Sequence, residues 1–328
     1  MREKEAVHNL HTQTTEPVLA EVLRDYLSAN TLKLRTKTSY EAVIRRCYSD
    51  WLYRPITSIK RHDVQEKHKE ISLSGKYQAN LAGRILRALF TFAEYRYTDD
   101  QGEPLIQSNP TKVLTALNLW HPEKRRQRRV MPDEMPKWWS AVLSVENRTA
   151  SDWLIVLLLS GMRRNEVTGL TYGDVDLNKG VITVRDTKSN RPLVYPMSDL
   201  LWALLKSRYV CAGFPPVSAP VFASQDGLSQ MSKWDRSYDW VASVTGIRFS
   251  PHDLRRTWQS TATESNVHVY SLKRLMGHNF DNGDWTIGYY VQDIEHLRGC
   301  VQQITDAIVK QAGLEKSQLL RRWSEPAR

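Results

Sequence analysis

The chain has 328 residues, enough for two domains that each bury a core, with 46 Lys and Arg against 36 Asp and Glu, a formal charge of +10. That excess makes an anionic partner a reasonable expectation. The three cysteines, Cys47, Cys211 and Cys300, stand far apart and unpaired, which argues against a disulfide framework or a zinc site.

Residues 1–16, MREKEAVHNLHTQTTE, are polar and lack the apolar core of a signal peptide, so a reduced cytoplasmic setting is expected. Residues 17–119 read as helical, with segments predicted over 18–29, 36–48, 61–73 and 76–97. In the last of these, Leu81, Ile85, Ala88, Leu89, Phe92 and Ala93 recur at helical spacing. Arg84, Arg87 and Arg96 fall largely between them, giving one core face and one basic face. A small helical domain carrying Arg45, Arg46, Lys76, Arg84 and Arg87 can lay cations along a DNA backbone; taken singly, each is also an ordinary solvated cation. Next, HPEKRRQRR supplies Lys124, Arg125, Arg126, Arg128 and Arg129. No core absorbs that density, so 120–131 is expected to be an exposed basic linker, along phosphates or simply solvated.

Beyond the linker, helices are predicted over 132–145 and 149–160. The second holds the most apolar run, WLIVLLL, which is too short to span a bilayer and reads as a buried helix. SGMRRNEVTGL then sets Arg163 and Glu166 three apart. Strand-like 181–185 and 192–195 flank a turn with Lys188, Ser189 and Asn190, which puts Lys188 at or near a hairpin tip. Further helices are expected over 198–209, 232–244, 251–265, 270–276 and 294–311. The fold class is mainly α with a small antiparallel β patch, in two domains over 17–119 and 132–328.

The stretch 250–291 gathers SPHDLRRTWQS, LMGHNF and WTIGYYV. His252 and Arg255 are three apart, so a helix opening near Pro251 presents both on one face. His278 follows a glycine, and Tyr289 and Tyr290 come after it. Arg, His and Tyr with neither metal-ligand spacing nor a Gly-rich phosphate loop suit phosphoryl transfer in which protein cations neutralise charge and a tyrosine attacks. No metal or other cofactor is then required. Each residue alone has an ordinary structural reading: a helix-start histidine, a surface arginine, a satisfied core histidine, an amphipathic tyrosine. Those readings leave the arrangement unexplained.

The order Arg163, Lys188, His252 with Arg255, His278 and Tyr289 resembles the tyrosine recombinases, the phage-integrase family. SGMRRNEVTGL is similar to its first arginine box, with Glu166 supporting Arg163; TKSNR to its lysine hairpin; HDLRRT to its HxLRxT box; and LMGH to its LxGH segment. The helical region from Pro17, Asn109-Pro110 and the basic linker resemble the family's core-binding domain and its connection to the catalytic domain. The Asp281, Asn282, Gly283 and Asp284 insert lengthens the spacing from His278 to the tyrosines, and Thr286 favours Tyr289 over Tyr290 as nucleophile.

The resemblance implies a site-specific recombinase or integrase of a phage or other mobile element, acting on double-stranded DNA through a 3′-phosphotyrosyl intermediate. Arg163, Arg255 and His278 then bind the phosphate, His252 takes the tyrosine proton and Lys188 protonates the leaving 5′ oxygen. It also implies a homo-oligomer, a tetramer on paired sites, with accessory DNA-bending proteins as further partners, no membrane, and association with the nucleoid. A further N-terminal arm-binding domain is expected to be absent. Ile294, Leu297, Val301, Ile304 and Ile308 form an amphipathic helix that the resemblance would dock on a neighbouring protomer; folding back onto its own domain is the alternative. A type IB topoisomerase-like nicking-closing enzyme and a non-catalytic DNA-binding protein on the same fold stay open beside the recombinase.

Overall fold

Two sets of apolar residues at helical spacing build two separate cores. The computed structural model describes residues 16–124, 127–185, 192–224, 227, 229–277 and 293–324, and the chain divides into units 1–125 and 126–328.

The first unit contains α1 (Leu19–Ala29), α2 (Leu34–Cys47), α3 (Arg61–Ser74), α4 (Lys76–Arg96) and the short α5 (Lys112–Ala116). Ala82, Ile85, Leu86, Leu89, Phe90 and Ala93 of α4 are buried against Leu19, Val22 and Leu23 of α1, Ile44 of α2 and Ile71 of α3. Each fully buried Leu, Ile or Phe contributes about 1.5–3 kcal/mol relative to an exposed one. After α4 the chain is turned by buried Asn109. Its amide donates to the Arg87 carbonyl (3.0 Å) and Thr91 Oγ1 (3.1 Å), and its Oδ1 accepts from the Thr111 N–H (2.9 Å). The Asn-Pro pair therefore ties the end of this unit back onto α4.

The second unit contains α6 (Met135–Leu143), α7 (Arg148–Ser160), α8 (Arg164–Thr168), strands β1 (Val175–Asp176), β2 (Val181–Val184) and β3 (Leu193–Pro196), then α9 (Asp199–Cys211), α10 (Asp235–Thr245), α11 (Pro251–Glu264), α12 (Val269–Leu275), α13 (Ile294–Gln311) and α14 (Lys316–Ser324). The sheet is antiparallel in the order β1-β2-β3, with Val181 opposite Pro196 and Val184 opposite Leu193. α7 is buried on every side from Ala150 to Ser160 because α6, α9, α11 and α13 pack about it. Asn147 Oδ1 caps its start by accepting from the Ala150 N–H at 3.1 Å, and Gly161 ends it at φ +61°. A Cβ at Gly161 would lie 2.5 Å from the Trp258 ring of α11, so glycine lets the two helices approach as well as turning the chain.

The structure departs from the sequence reading in several places. The two-residue β1, the single-turn α5 and α8, and α14 were not predicted; the first three are too short for periodicity to register. α13 spans the expected residues, but Leu297, Val301, Ile304 and Ile308 are buried in their own unit's core, so the alternative of folding back is the one adopted. The apolar stripe meets α7 and α11 of the same chain, which supply enough surface to cover it. The second half of the basic linker is exposed at Gln127 and Arg128, as expected, but its two arginines are partnered rather than simply solvated. Arg128 donates to the Arg248 carbonyl (3.0 Å) and pairs with Glu134 (2.8 Å), and Arg129 pairs with Glu264 (2.8 Å). Glu134, six positions on, and Glu264, 135 positions on, hold these two cations within the second unit. Among the described residues no helix is long and apolar enough to cross a membrane, and no group of three His, Cys, Asp or Glu stands ready to hold a metal ion.

Candidate active site

Arg163 lies three residues past the end of α7, in the N-cap position of α8. Its backbone N–H donates to Glu166 Oε2 at 2.7 Å and its Nη1 to Glu166 Oε1 at 2.6 Å. Glu166 is buried, while the Arg163 side chain remains about one-third exposed at 33%. The carboxylate thus fixes the backbone and one edge of the guanidinium, leaving other N–H groups for a ligand.

Arg255 enters from α11, whose first turn is locked by Ser250, with Pro251 next and Asp253 at the third position. The Ser250 N–H and Oγ donate to Asp253 Oδ2 at 2.9 and 2.8 Å. Arg255 is only 4% exposed, a burial a cation tolerates only when partnered. Its Nη1 donates to the Gly161 carbonyl (2.7 Å) and its Nη2 to the Met276 carbonyl (3.2 Å). One guanidinium therefore joins the loop before Arg163 to the LMGH segment that leads to His278. Burial first, then the like charge of Arg163, pulls its pKa down to about 10, against the opposing pull of Glu166.

His252 lies one turn before Arg255 on the same helix, exposed. Its pKa is lowered below the ordinary imidazole value by partial loss of hydration, then by the charges of Arg256, Arg255 and Arg163; only Asp253 opposes. The field of both arginines thus reaches this ring and favours its neutral, proton-accepting form. Lys188, His278, Tyr289 and Tyr290 lie outside the described residues, as do Arg125 and Arg126.

The sequence reading missed groups around this cluster. Arg256 pairs with Asp253 (2.8 Å) and adds to the charge at His252; its adjacency to Arg255 was the available signal. Tyr195 of β3 is fully buried, burial pushes its pKa up against Arg255, and its hydroxyl has no hydrogen-bond partner among the described residues. Thr257, the last residue of HDLRRT, accepts from the Val130 N–H at 2.9 Å and anchors the end of the linker. Nothing in sequence marked the carbonyls of Gly161 and Met276.

In the first unit Arg45, Arg46 and Lys76 are exposed, as is Lys124 at the start of the linker. Arg84 and Arg87 are less open than their helical phase suggests. Arg84 pairs with Glu123 at 2.9 Å, and the Asn80 amide donates to the same carboxylate at 2.8 Å. Arg87 lies 4.9 Å over the Trp120 ring and donates to Thr115 Oγ1 at 2.6 Å.

Residues 128–295, just over half of the chain, match the model of the phage integrase family. Tyrosine recombinase XerA of Thermococcus kodakarensis is 30% identical over 227 residues, which cover 67% of this chain and 72% of that protein. Tyrosine recombinase XerD of Yersinia pestis is 24% identical over 81% of this chain and 90% of its own length. Among solved structures, the Tn1549 transposon integrase in complex with transposon right end DNA superposes with a TM-score of 0.64 at 20% identity, covering 86% of this chain and 98% of that one. A lambda integrase tetramer bound to a Holliday junction gives 0.63 at 18% identity, over 86% and 87%. The structures share the fold, the family model covers more than half of the chain, and the chain belongs to the phage integrase family of tyrosine recombinases.

Proposed function

We infer that this protein is a tyrosine-type site-specific DNA recombinase that cleaves and rejoins strands through a 3′-phosphotyrosyl intermediate, as an integrase of a mobile element. The observation that carries the mechanism is Arg255, buried and tied to the loop of Arg163 and to the segment before His278, with His252 in the field of both arginines. Kinship with named tyrosine recombinases favours strand exchange over simple nicking and closing. Solved relatives that carry transposon-end DNA or a Holliday junction support double-stranded DNA as the substrate and a tetramer on paired sites as the working assembly.

The phosphodiester resists attack because its charge repels nucleophiles, and the pentavalent transition state carries more charge on the non-bridging oxygens. Arg163 and Arg255 donate to those oxygens with N–H groups not used on Glu166 and the carbonyls, and His278 adds a further hydrogen bond. A tyrosine loses its proton only near pH ~10 unaided, so His252, held neutral, accepts the Tyr289 proton as Oη bonds to phosphorus. The bond from phosphorus to the 5′ oxygen breaks, and Lys188 protonates that oxygen. A 5′ hydroxyl then reverses each step on the phosphotyrosine, on the same strand or on a partner strand. The exposed cations Arg45, Arg46, Lys76 and Lys124 neutralise backbone phosphates outside the cleaved bond.

The test is a nicked suicide substrate bearing the attachment site, resolved on a denaturing gel. A protein–DNA adduct is expected with the wild type and with Tyr290→Phe, and none with Tyr289→Phe bound to the same DNA. An adduct that survives Tyr289→Phe and disappears in Tyr290→Phe reverses the nucleophile. Stable binding without any adduct overturns the mechanism.

A further inference from the structure

Arg298 of α13 makes a set of contacts that the chemistry above does not use. Its Nη1 donates to the Gly180 carbonyl (2.6 Å) and the Met197 carbonyl (3.3 Å), and its Nη2 to the Lys179 carbonyl (2.9 Å). Glu295, one turn earlier, steadies the fork by accepting from Nε at 2.9 Å and Nη2 at 3.0 Å. Gly180 immediately precedes β2 and Met197 immediately follows β3, and the Met197 N–H donates to the Gly180 carbonyl at 2.9 Å. The guanidinium therefore closes the hairpin at its base, where the chain enters and leaves it. Gly180 has φ +61°, and a Cβ there would lie 2.7 Å from Arg298 Nη1, so the turn leaves room for the fork.

This hairpin is the one whose sequence carries Lys188, and α13 begins just after the segment that carries Tyr289. We propose that Arg298 is a positioning residue for strand cleavage: by pinning the base of the Lys188 hairpin to the helix that follows the Tyr289 segment, it refers general acid and nucleophile to one frame. The proposal rests on the reading of Lys188 as the acid and Tyr289 as the nucleophile. Over the four residues of β2 alone, about 13 Å at about 3.3 Å per residue, a tilt of about 5° at the base already displaces the strand's end by about 1 Å. Displacement by about 1 Å is enough to cost about 100-fold in rate. Lysine cannot replace the fork, because an ammonium is a single point and the three carbonyls come from two segments.

The experiment compares adduct formation on two nicked substrates: ordinary DNA, and DNA whose scissile 5′ bridging oxygen is replaced by sulfur, a leaving group that needs no proton. Wild type and Lys188→Ala are run first. Failure of the wild type to form an adduct, or of sulfur to rescue Lys188→Ala, counts against the general-acid reading and not specifically against Arg298. With those controls in place, Arg298→Ala and Arg298→Lys are expected to slow cleavage of ordinary DNA by about 10- to 100-fold and to fall within about threefold of wild type on the sulfur substrate. Glu295→Gln, on an exposed carboxylate, should show the same selectivity in weaker form and keeps the test open should the alanine variant fail to fold. Equal loss on the two substrates in a variant with wild-type thermal unfolding, or no loss in any of the three, overturns the proposal.

Discussion

Arg255 and Gly161 are joined by a 2.7 Å hydrogen bond from Nη1 to the carbonyl, spanning 94 positions of sequence and setting the buried arginine two residues from Arg163. With the bond to Met276, it makes Arg255 a structural strut as well as a phosphate ligand. Arg255→Lys should lower the rate of adduct formation by about two to three orders of magnitude, as removal of an oxyanion donor does. It should also lower unfolding stability, by about 1–3 kcal/mol for each carbonyl left unpaired. DNA affinity by gel shift should change little. A variant that unfolds at the wild-type denaturant midpoint would contradict the strut.

Glu166→Gln retains an oxygen for the Arg163 N–H but removes the charge opposite its guanidinium. The fold should survive and single-turnover cleavage should slow by about 10- to 100-fold, because Arg163 loses its fixed orientation. Glu166→Ala should be slower still.

His252 titrates below the ordinary histidine value in the free protein, so its base form persists through about pH 6.5, where an unperturbed imidazole is half protonated. Cleavage at subsaturating DNA should therefore hold through that pH and fall on further acidification. Binding of a phosphate offsets the arginine charges, so at saturating DNA the acid limb should move up. The same shift has a stability consequence: below about pH 6.5 the unfolded chain takes up a proton that the folded ring resists, so folding stability falls as pH drops toward the lowered value. His252→Gln should lose the acid limb in both assays.

Glu123 occupies Arg84 and Asn80 as a phosphate oxygen would. Glu123→Gln should raise affinity for duplex DNA by about 1.5- to 5-fold and steepen the salt dependence by about one counterion, measured by fluorescence anisotropy across salt concentrations. Arg84→Ala should then cost more affinity in the Glu123→Gln background than in wild type.

Ile304 is fully buried on α13 within its own unit. Ile304→Ala should destabilise the protein by about 2–5 kcal/mol, with an unfolding midpoint independent of protein concentration, as expected of a cis contact. A midpoint that rises with concentration would show that the stripe is completed by another copy.

The long helices were legible because their signal is local: α4 and α13 carry apolar residues every third or fourth position, and α11 carries its own start in Ser250, Pro251 and Asp253. The recombinase boxes were legible for the same reason, since each is a short run with a fixed spacing. β1, α5 and α8 were not, because two to five residues cover about one period, too little for a pattern to repeat.

The sequence by itself determined the helical class, the two-part layout and the order of the candidate catalytic residues, all of which depend on near neighbours in the chain. Only the tertiary structure decided which cations are open and which are held. Glu123 reaches Arg84 across 39 positions, Glu264 reaches Arg129 across 135, and Arg298 reaches the Gly180 carbonyl across 118. A charge takes its role from whatever the fold brings within hydrogen-bonding distance, and distances of about 3 Å between residues so far apart in sequence are set only when each unit's own core packs.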